Sequence, residues 1–240
     1  MWIGLFLLLL LAHLLADFVL QTSSSCRSKT DEHWRSVHQY IHATIVFLLA
    51  WFASWRLDFW WGALIVGGLH LAIDIWKSYK KEDVIWFSLD QVFHILVLAA
   101  VAFVWCRVRS WTMPSFISLK AIAVMVSALV CWKPANIFIK LALKHYSVNM
   151  PEDNASGFNA GALIGTIERW LILIFVCLQR YDALGLLIAA KSIIRFSDSQ
   201  TNKTEYVLAG TLLSIFIAIL CGLFIVNIEF LIAYEEHIWK

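Results

Sequence analysis

What most restricts the fold of this chain is a succession of long apolar runs joined by short polar connectors. The first run, residues 2–20, contains no Lys, Arg or Glu and one Asp. Inside hydrocarbon every backbone N–H and C=O must find a partner within the protein, which leaves helices or closed barrels as spanning structures. Runs of about 14–21 residues, several near the length that crosses a bilayer, select helices. Composition agrees: of 240 residues 61% are hydrophobic, 15% are charged and three are proline, far from the balance of a soluble domain. The expectation is an all-α polytopic membrane protein with about 7–8 transmembrane helices. Candidate spans are 2–20, 38–55, 59–76, 85–105, 115–132, 160–178, 183–196 and 206–226. The seventh is too short to cross about 30 Å comfortably at 1.5 Å per residue. The first lacks the basic flank and small-residue cleavage site of a signal peptide, so it is expected to stay as a helix.

Lys133-Pro134 should end the fifth span, because proline lacks a backbone donor and disfavours helix at the residue before it. Residues 134–147 are then amphipathic, with Ile137, Phe138, Leu141 and Ala142 on one face and Lys140 and Lys144 off it, as in a helix lying in the membrane interface. Residues 148–159 have the most loop-like composition. A division follows: 1–110 as a four-helix membrane domain and 111–240 as a C-terminal membrane domain. Basic residues concentrate in the odd connectors (Arg27, Lys29, Arg35; Lys77, Lys80, Lys81; Lys133, Lys140, Lys144). The positive-inside rule makes those connectors cytoplasmic and, with eight spans, puts both termini outside. The basic residues form no stripe or face, so nucleic acid is not an expected partner. The five cysteines are odd in number and lack Cys-x-x-Cys spacing, so they are expected to be small buried hydrophobes.

Polar residues within the first four runs recur at a fixed interval. His13/Asp17, His38/His42, His70/Asp74 and Asp90/His94 are each four apart, about one helical turn, so each pair shares a helix face. By the orientation above, all eight sit at the cytoplasmic ends of their helices. Imidazole and carboxylate together suit a divalent transition metal such as zinc, iron or manganese, and eight donors suffice for one or two ions. The bland alternative is hydrogen bonding that glues helices together. Ionisable groups within a bilayer are costly and mark function by default, which favours metal binding. His33, His145 and His237 lack partners at helical spacing and are expected to be solvated. A second polar group comprises Glu168, Arg169, Lys191, Arg195 and Glu205. Structural pairing of Glu168 with Lys191 or Arg195, and of Arg169 with Glu205, competes there with binding of anionic lipid headgroups. Gly157, Gly161 and Gly165 have the spacing of a close helix contact.

His13-Leu14-Leu15-Ala16-Asp17 with Gln21, the His38/His42 pair, His70 with Asp74, Lys77 and Ser78, and Asp90-Gln91 with His94 resemble the bacterial membrane family called domain of unknown function 3307. Segments around Glu168-Arg169, Lys191-Ser192 and Glu205-Tyr206 resemble the C-terminal extension of its longer members. The resemblance implies a bacterial inner-membrane protein and supplies no activity. Three functional classes remain. One is a metal-dependent hydrolase acting at the cytoplasmic interface on an amphiphilic lipid-linked phosphate or ester, with Asp17 or Asp90 as general base. The others are a metal-ion transporter or handler, and a non-catalytic scaffold or sensor. Membrane lipid is the expected partner in each. There is no Gly-x-Ser-x-Gly elbow, phosphate loop or dinucleotide fingerprint to support serine hydrolysis or nucleotide chemistry.

Overall fold

The computed structural model describes residues 2–146, 160–196 and 201–238, and among them every regular element is helical. The segment expected to be most loop-like, 148–159, lies outside the described residues. The helices are α1 (Trp2–Leu14), α2 (Ser23–Glu32), α3 (Val37–Ala53), α4 (Trp60–Ser78), α5 (Val84–Val108), α6 (Leu119–Val130), α7 (Lys133–His145), α8 (Ala160–Cys177), α9 (Tyr181–Phe196) and α10 (Thr201–Ile238). Among the described residues five stretches are long and apolar enough to cross a membrane: Trp2–Leu20, Leu57–Ser78, Val84–Val108, Leu119–His145 and Leu208–Leu231. A sixth arises if Ser23–Arg35 and Val37–Ala53, bent by 106° from one another, count as one span. Length and apolarity therefore support a membrane protein without reaching eight spans. At 16 residues α9 extends only about 24 Å.

The chain divides into two compact units, Met1–Val126 with Glu229–Lys240, and Ser127–Ile228. In the first, α1 packs against α3 and α5, and α4 packs against the same two helices, closing a ring of four. The inward faces follow from residue spacing. On α3 the buried positions are Gln39, His42, Val46 and Ala50, and on α5 they are Asp90, His94, Leu98 and Ala102. Small residues let helices approach closely: a Cβ on Gly67 of α4 would lie 3.0 Å from the Phe47 Cβ and 3.3 Å from the Ala43 carbonyl oxygen of α3. Outward faces carry exposed Leu48, Phe52, Leu64, Ile65, Val92 and Leu96, an apolar exterior suited to lipid.

One end of the ring is tied by polar contacts between connectors. Arg56 donates to both oxygens of Asp58 (2.8 and 2.9 Å) and to the Ser110 carbonyl (3.0 Å), while the Trp111 indole donates to the Ser54 carbonyl (3.0 Å). At the other end α2 connects α1 to α3. Thr22 caps it by accepting from the Ser25 N–H at 3.2 Å, a frequent use of threonine. Nearly all of α2 is exposed or half-exposed; Lys29 is its buried residue.

In the second unit the break foreseen at Lys133-Pro134 is present, with a different register. After α6 ends at Val130, a turn at Cys131-Trp132 leads into α7, with Pro134 in its first turn. Proline is tolerated there because a first-turn N–H has no helical acceptor. α6 and α7 thus join into one apolar stretch.

Candidate metal centre

The ring brings together the end of α1 with the start of α3, and the end of α4 with the start of α5. His13, His42, His70, Asp90 and His94 are buried there, and Asp17 and Asp74 are nearly so. The end of α1 widens into a π-helical turn over Leu15–Leu20, closed by the Gln21 N–H donating to the Ala16 carbonyl at 3.1 Å. π turns occur frequently at functional sites, and this one carries Asp17.

Asp17 Oδ1 is 3.1 Å from His42 Nε2 and 3.5 Å from His70 Nε2, and those two nitrogens are 3.1 Å apart. Donors about 2.0–2.2 Å from a tetrahedral ion lie roughly 3.3–3.6 Å from one another, so this triangle has the dimensions of a coordination face. Asp74 Oδ2 stands 3.7 Å from His70 Nε2 and 3.9 Å from His42 Nε2, beside this face. The other oxygen of Asp74, Oδ1, is 3.5 Å from His94 Nε2, which is 3.4 Å from Asp90 Oδ1. Asp74 therefore offers one oxygen to each of two donor groups, Asp17/His42/His70 and Asp90/His94. His13 completes a further group with His70 and His94, whose rings stack at 4.1 Å.

Hydrogen bonding leaves this set incomplete. His13 Nδ1, His94 Nε2 and Asp90 Oδ1 are buried without a hydrogen-bond partner. Buried polar atoms are nearly always satisfied; Gln39 and Trp105 also carry unpaired atoms, but three within one donor cluster leave a place for an ion or water there. Two imidazole nitrogens facing each other at 3.1 Å have the same requirement, since one N–H cannot serve both His70 and Asp17. The residues thus fit a divalent cation by donor type, spacing and unmet bonding.

Not every expected donor joins. His38 is exposed on α3, away from the cluster, and the inward place beside it belongs to Gln39. His33, expected to be solvated, is half-buried: its ring stacks on Tyr79 at 4.1 Å and its Nδ1 lies 3.2 Å from Ser78 Oγ. Lys29, counted in the sequence only as a basic connector residue, belongs to the cluster. Its Nζ is 2.6 Å from Asp74 Oδ2, and Lys77 Nζ is 3.8 Å from Asp90 Oδ2. Gln91 donates to Asp90 Oδ2 at 3.1 Å, and its oxygen lies 3.5 Å from His13 Nε2. No helical spacing marks Lys29, whereas Gln21, Lys77 and Gln91 stand within the motifs that carry the family resemblance.

The second polar group is organised differently. Lys191 pairs with Glu168. Arg169 is fully buried among neutral acceptors: Nε donates to the Cys131 carbonyl (2.6 Å), Nη1 to Ser214 Oγ (2.9 Å), and Nη2 to Asn136 Oδ1 (2.6 Å) and Thr166 Oγ1 (3.2 Å). The α6–α7 turn explains one contact, because carbonyls at a helix end lack an intrahelical donor. Gly165 leaves room for the guanidinium, since a Cβ there would sit 3.2 Å from Arg169 Nη1. The side chains of Arg195 and Glu205, and Gly157, lie outside the described residues.

A family profile described as Protein of unknown function (DUF3307) matches residues 5–124, a range that contains all of the donors above. Neither the curated proteins nor the solved structures contain a match to this chain.

Proposed function

The chain belongs to the family described as Protein of unknown function (DUF3307), which brings no activity with it, and from the site itself we propose a membrane-embedded hydrolase dependent on one or two divalent transition-metal ions. The supporting observation is the position of Asp74 between two donor groups, one oxygen 3.7 Å from His70 Nε2 and the other 3.5 Å from His94 Nε2. Imidazole with carboxylate suits zinc, iron or manganese. When bound, such an ion supplies Lewis acidity, polarising a phosphoryl or acyl oxygen and lowering the pKa of water.

The residues divide the remaining work. Asp17, His42 and His70 form the better-matched coordination face and would hold the ion, with Asp74 between that face and the second group. His94 and Asp90 form the sparser group, which leaves positions for water and substrate, as catalytic rather than structural sites do. Asp17 Oδ1 is crowded by imidazoles, so its role is ligation. Asp90 is the better general base, since Oδ1 has only His94 Nε2 beside it, at 3.4 Å, while Gln91 holds Oδ2. A water proton taken at Asp90 Oδ1 would be handed on by the same carboxyl to a leaving group. The cytoplasmic face of the bacterial inner membrane is the proposed location, supported by the Lys/Arg excess in the flanking connectors. Donors at helix ends, rather than at the midplane where transporter sites tend to lie, favour an amphiphilic substrate over a transported ion.

Elemental analysis of protein purified without chelator tests the foundation: about one to two ions per chain are expected. Less than roughly 0.2 ion, with no uptake on loading, would end the metal reading. Asp90→Asn should retain most metal and lose at least about a hundredfold in hydrolysis of phospholipids or polyprenyl phosphates. Loaded wild type that turns over no more than this variant would direct attention to transport or a structural role.

A further inference from the structure

We infer that Lys29, delivered by α2, is a substrate-binding residue and that the substrate is a phosphate ester rather than a carboxylic ester; this rests on the metal reading above. The first support is placement. α2 is a polar helix whose buried residue is Lys29, with its ammonium 2.6 Å from Asp74 Oδ2, the carboxylate lying between the two donor groups. With its amide oxygen turned inward, Gln21 accepts from Lys29 Nζ at 2.7 Å while its nitrogen donates to the Asp17 carbonyl at 3.3 Å. The ammonium is thereby fixed against both the residue that closes the π-helical turn and α4. Lys77 stands by the sparser group, 3.8 Å from Asp90 Oδ2.

The second support is charge. With the imidazoles neutral, as ligation requires, Asp17, Asp74 and Asp90 set three negative charges against the two positive charges of Lys29 and Lys77, so that the ligand shell without its ion carries one negative charge. One divalent ion makes it one positive and two make it three positive. Excess charge of one sign in a buried site is costly unless an opposite charge joins it. A neutral acyl ester cannot provide that compensation, whereas a phosphate group carries it together with acceptor oxygens for ammonium donors. If the lysines served only to neutralise carboxylates, they would make metal uptake harder. Their presence in a metal site is accounted for when the working state includes an anion.

The test uses the full-length protein in detergent loaded with Mn²⁺, with metal content measured first. Inorganic phosphate is titrated, and paramagnetic broadening of its phosphorus resonance reports approach to the ion. Short-chain phosphatidic acid in a parallel titration distinguishes a lipid headgroup from free phosphate; tighter binding of the lipid assigns the headgroup, equal binding the free anion, and either supports an anion site. Lys29→Met should keep its metal and weaken phosphate binding by about tenfold or more, the scale of one lost charge-assisted hydrogen bond. Lys29→Arg should retain part of it, which controls for disturbance of α2. Wild type that holds metal without broadening phosphate, or Lys29→Met that binds phosphate as wild type does, overturns the inference while leaving the metal reading intact. Protein that takes up no metal overturns both, and that result appears before phosphate is added.

Discussion

His38 and His42 lie one turn apart on α3 and meet different surroundings. At about 100° per residue the buried stripe through Gln39, His42, Val46 and Ala50 is centred close to position 39, and His38 falls roughly 85° to one side. A four-residue step shows that two side chains share a face; it does not show whether that face is turned inward. His42→Ala should therefore reduce bound metal to less than about half, the scale on which lost ligands act, while His38→Ala leaves elemental content unchanged. Loss of metal in the His38 variant would contradict the arrangement of α3. Arg169 supplies a second residue-scale prediction. Its planar fork serves four neutral acceptors at once, and lysine cannot reproduce that geometry. Arg169→Lys should lower stability by about 2–3 kcal/mol, measured by thermal unfolding in detergent, because it leaves buried acceptors unpaired. Its metal content should match wild type, since every donor lies in the other compact unit.

Among elements, apolar runs and donor spacing were legible because both depend on local periodicity. The ends of α3, α4 and α5, and of α1 together with its π-helical turn, could be placed from those runs to within a few residues, and seven of the eight proposed donors meet in one cluster. Three features were hidden for identifiable reasons. The π-helical turn at Leu15–Leu20 contains no glycine or proline to announce it. α2 reads as a connector because it is polar and rich in Ser, Thr and Asp, which disfavour helix interiors, and Thr22 capping with burial of Lys29 offsets that. The Gly157, Gly161 and Gly165 spacing suggested a helix crossing, but Gly165 instead accommodates the Arg169 side chain. Within the ring of four a glycine that does set a crossing is Gly67. Gly67→Val would force α4 away from Phe47 and Ala43 of α3, the helix pair that carries His70, Asp74 and His42. Its metal affinity should fall by about ten- to a hundredfold, as when supporting contacts around a metal are lost, while Gly68→Ala, at an open position, serves as the unaffected control.

For the whole molecule, the proposed function depends on which side of the membrane the donor cluster faces. The connectors at that end of the ring carry Arg27, Lys29, Arg35, Lys77, Lys80 and Lys81, against Arg56, Arg107 and Arg109 at the other. Burial of Lys29 and the contact of Lys77 with Asp90 do not alter this comparison, because the rule counts Lys and Arg near span ends and is not a net-charge rule. The cluster should therefore face the cytoplasm. Two exposed positions provide the test: Cys26 on α2 at the cluster end, and Leu57, 84% exposed, in the turn between α3 and α4 at the opposite end. In intact cells a membrane-impermeant maleimide should modify Leu57→Cys in a Cys26→Ser background, and should reach Cys26 of the parent chain only after the membrane is opened. Lys80→Cys, also in the Cys26→Ser background, gives an independent reading of the cluster end. If Lys80→Cys were labelled from outside and Leu57→Cys were protected, the orientation would be inverted. The metal donors would remain together, but a substrate arriving from the cytoplasm would no longer meet them, and the proposed reaction would have to be moved to the outer leaflet.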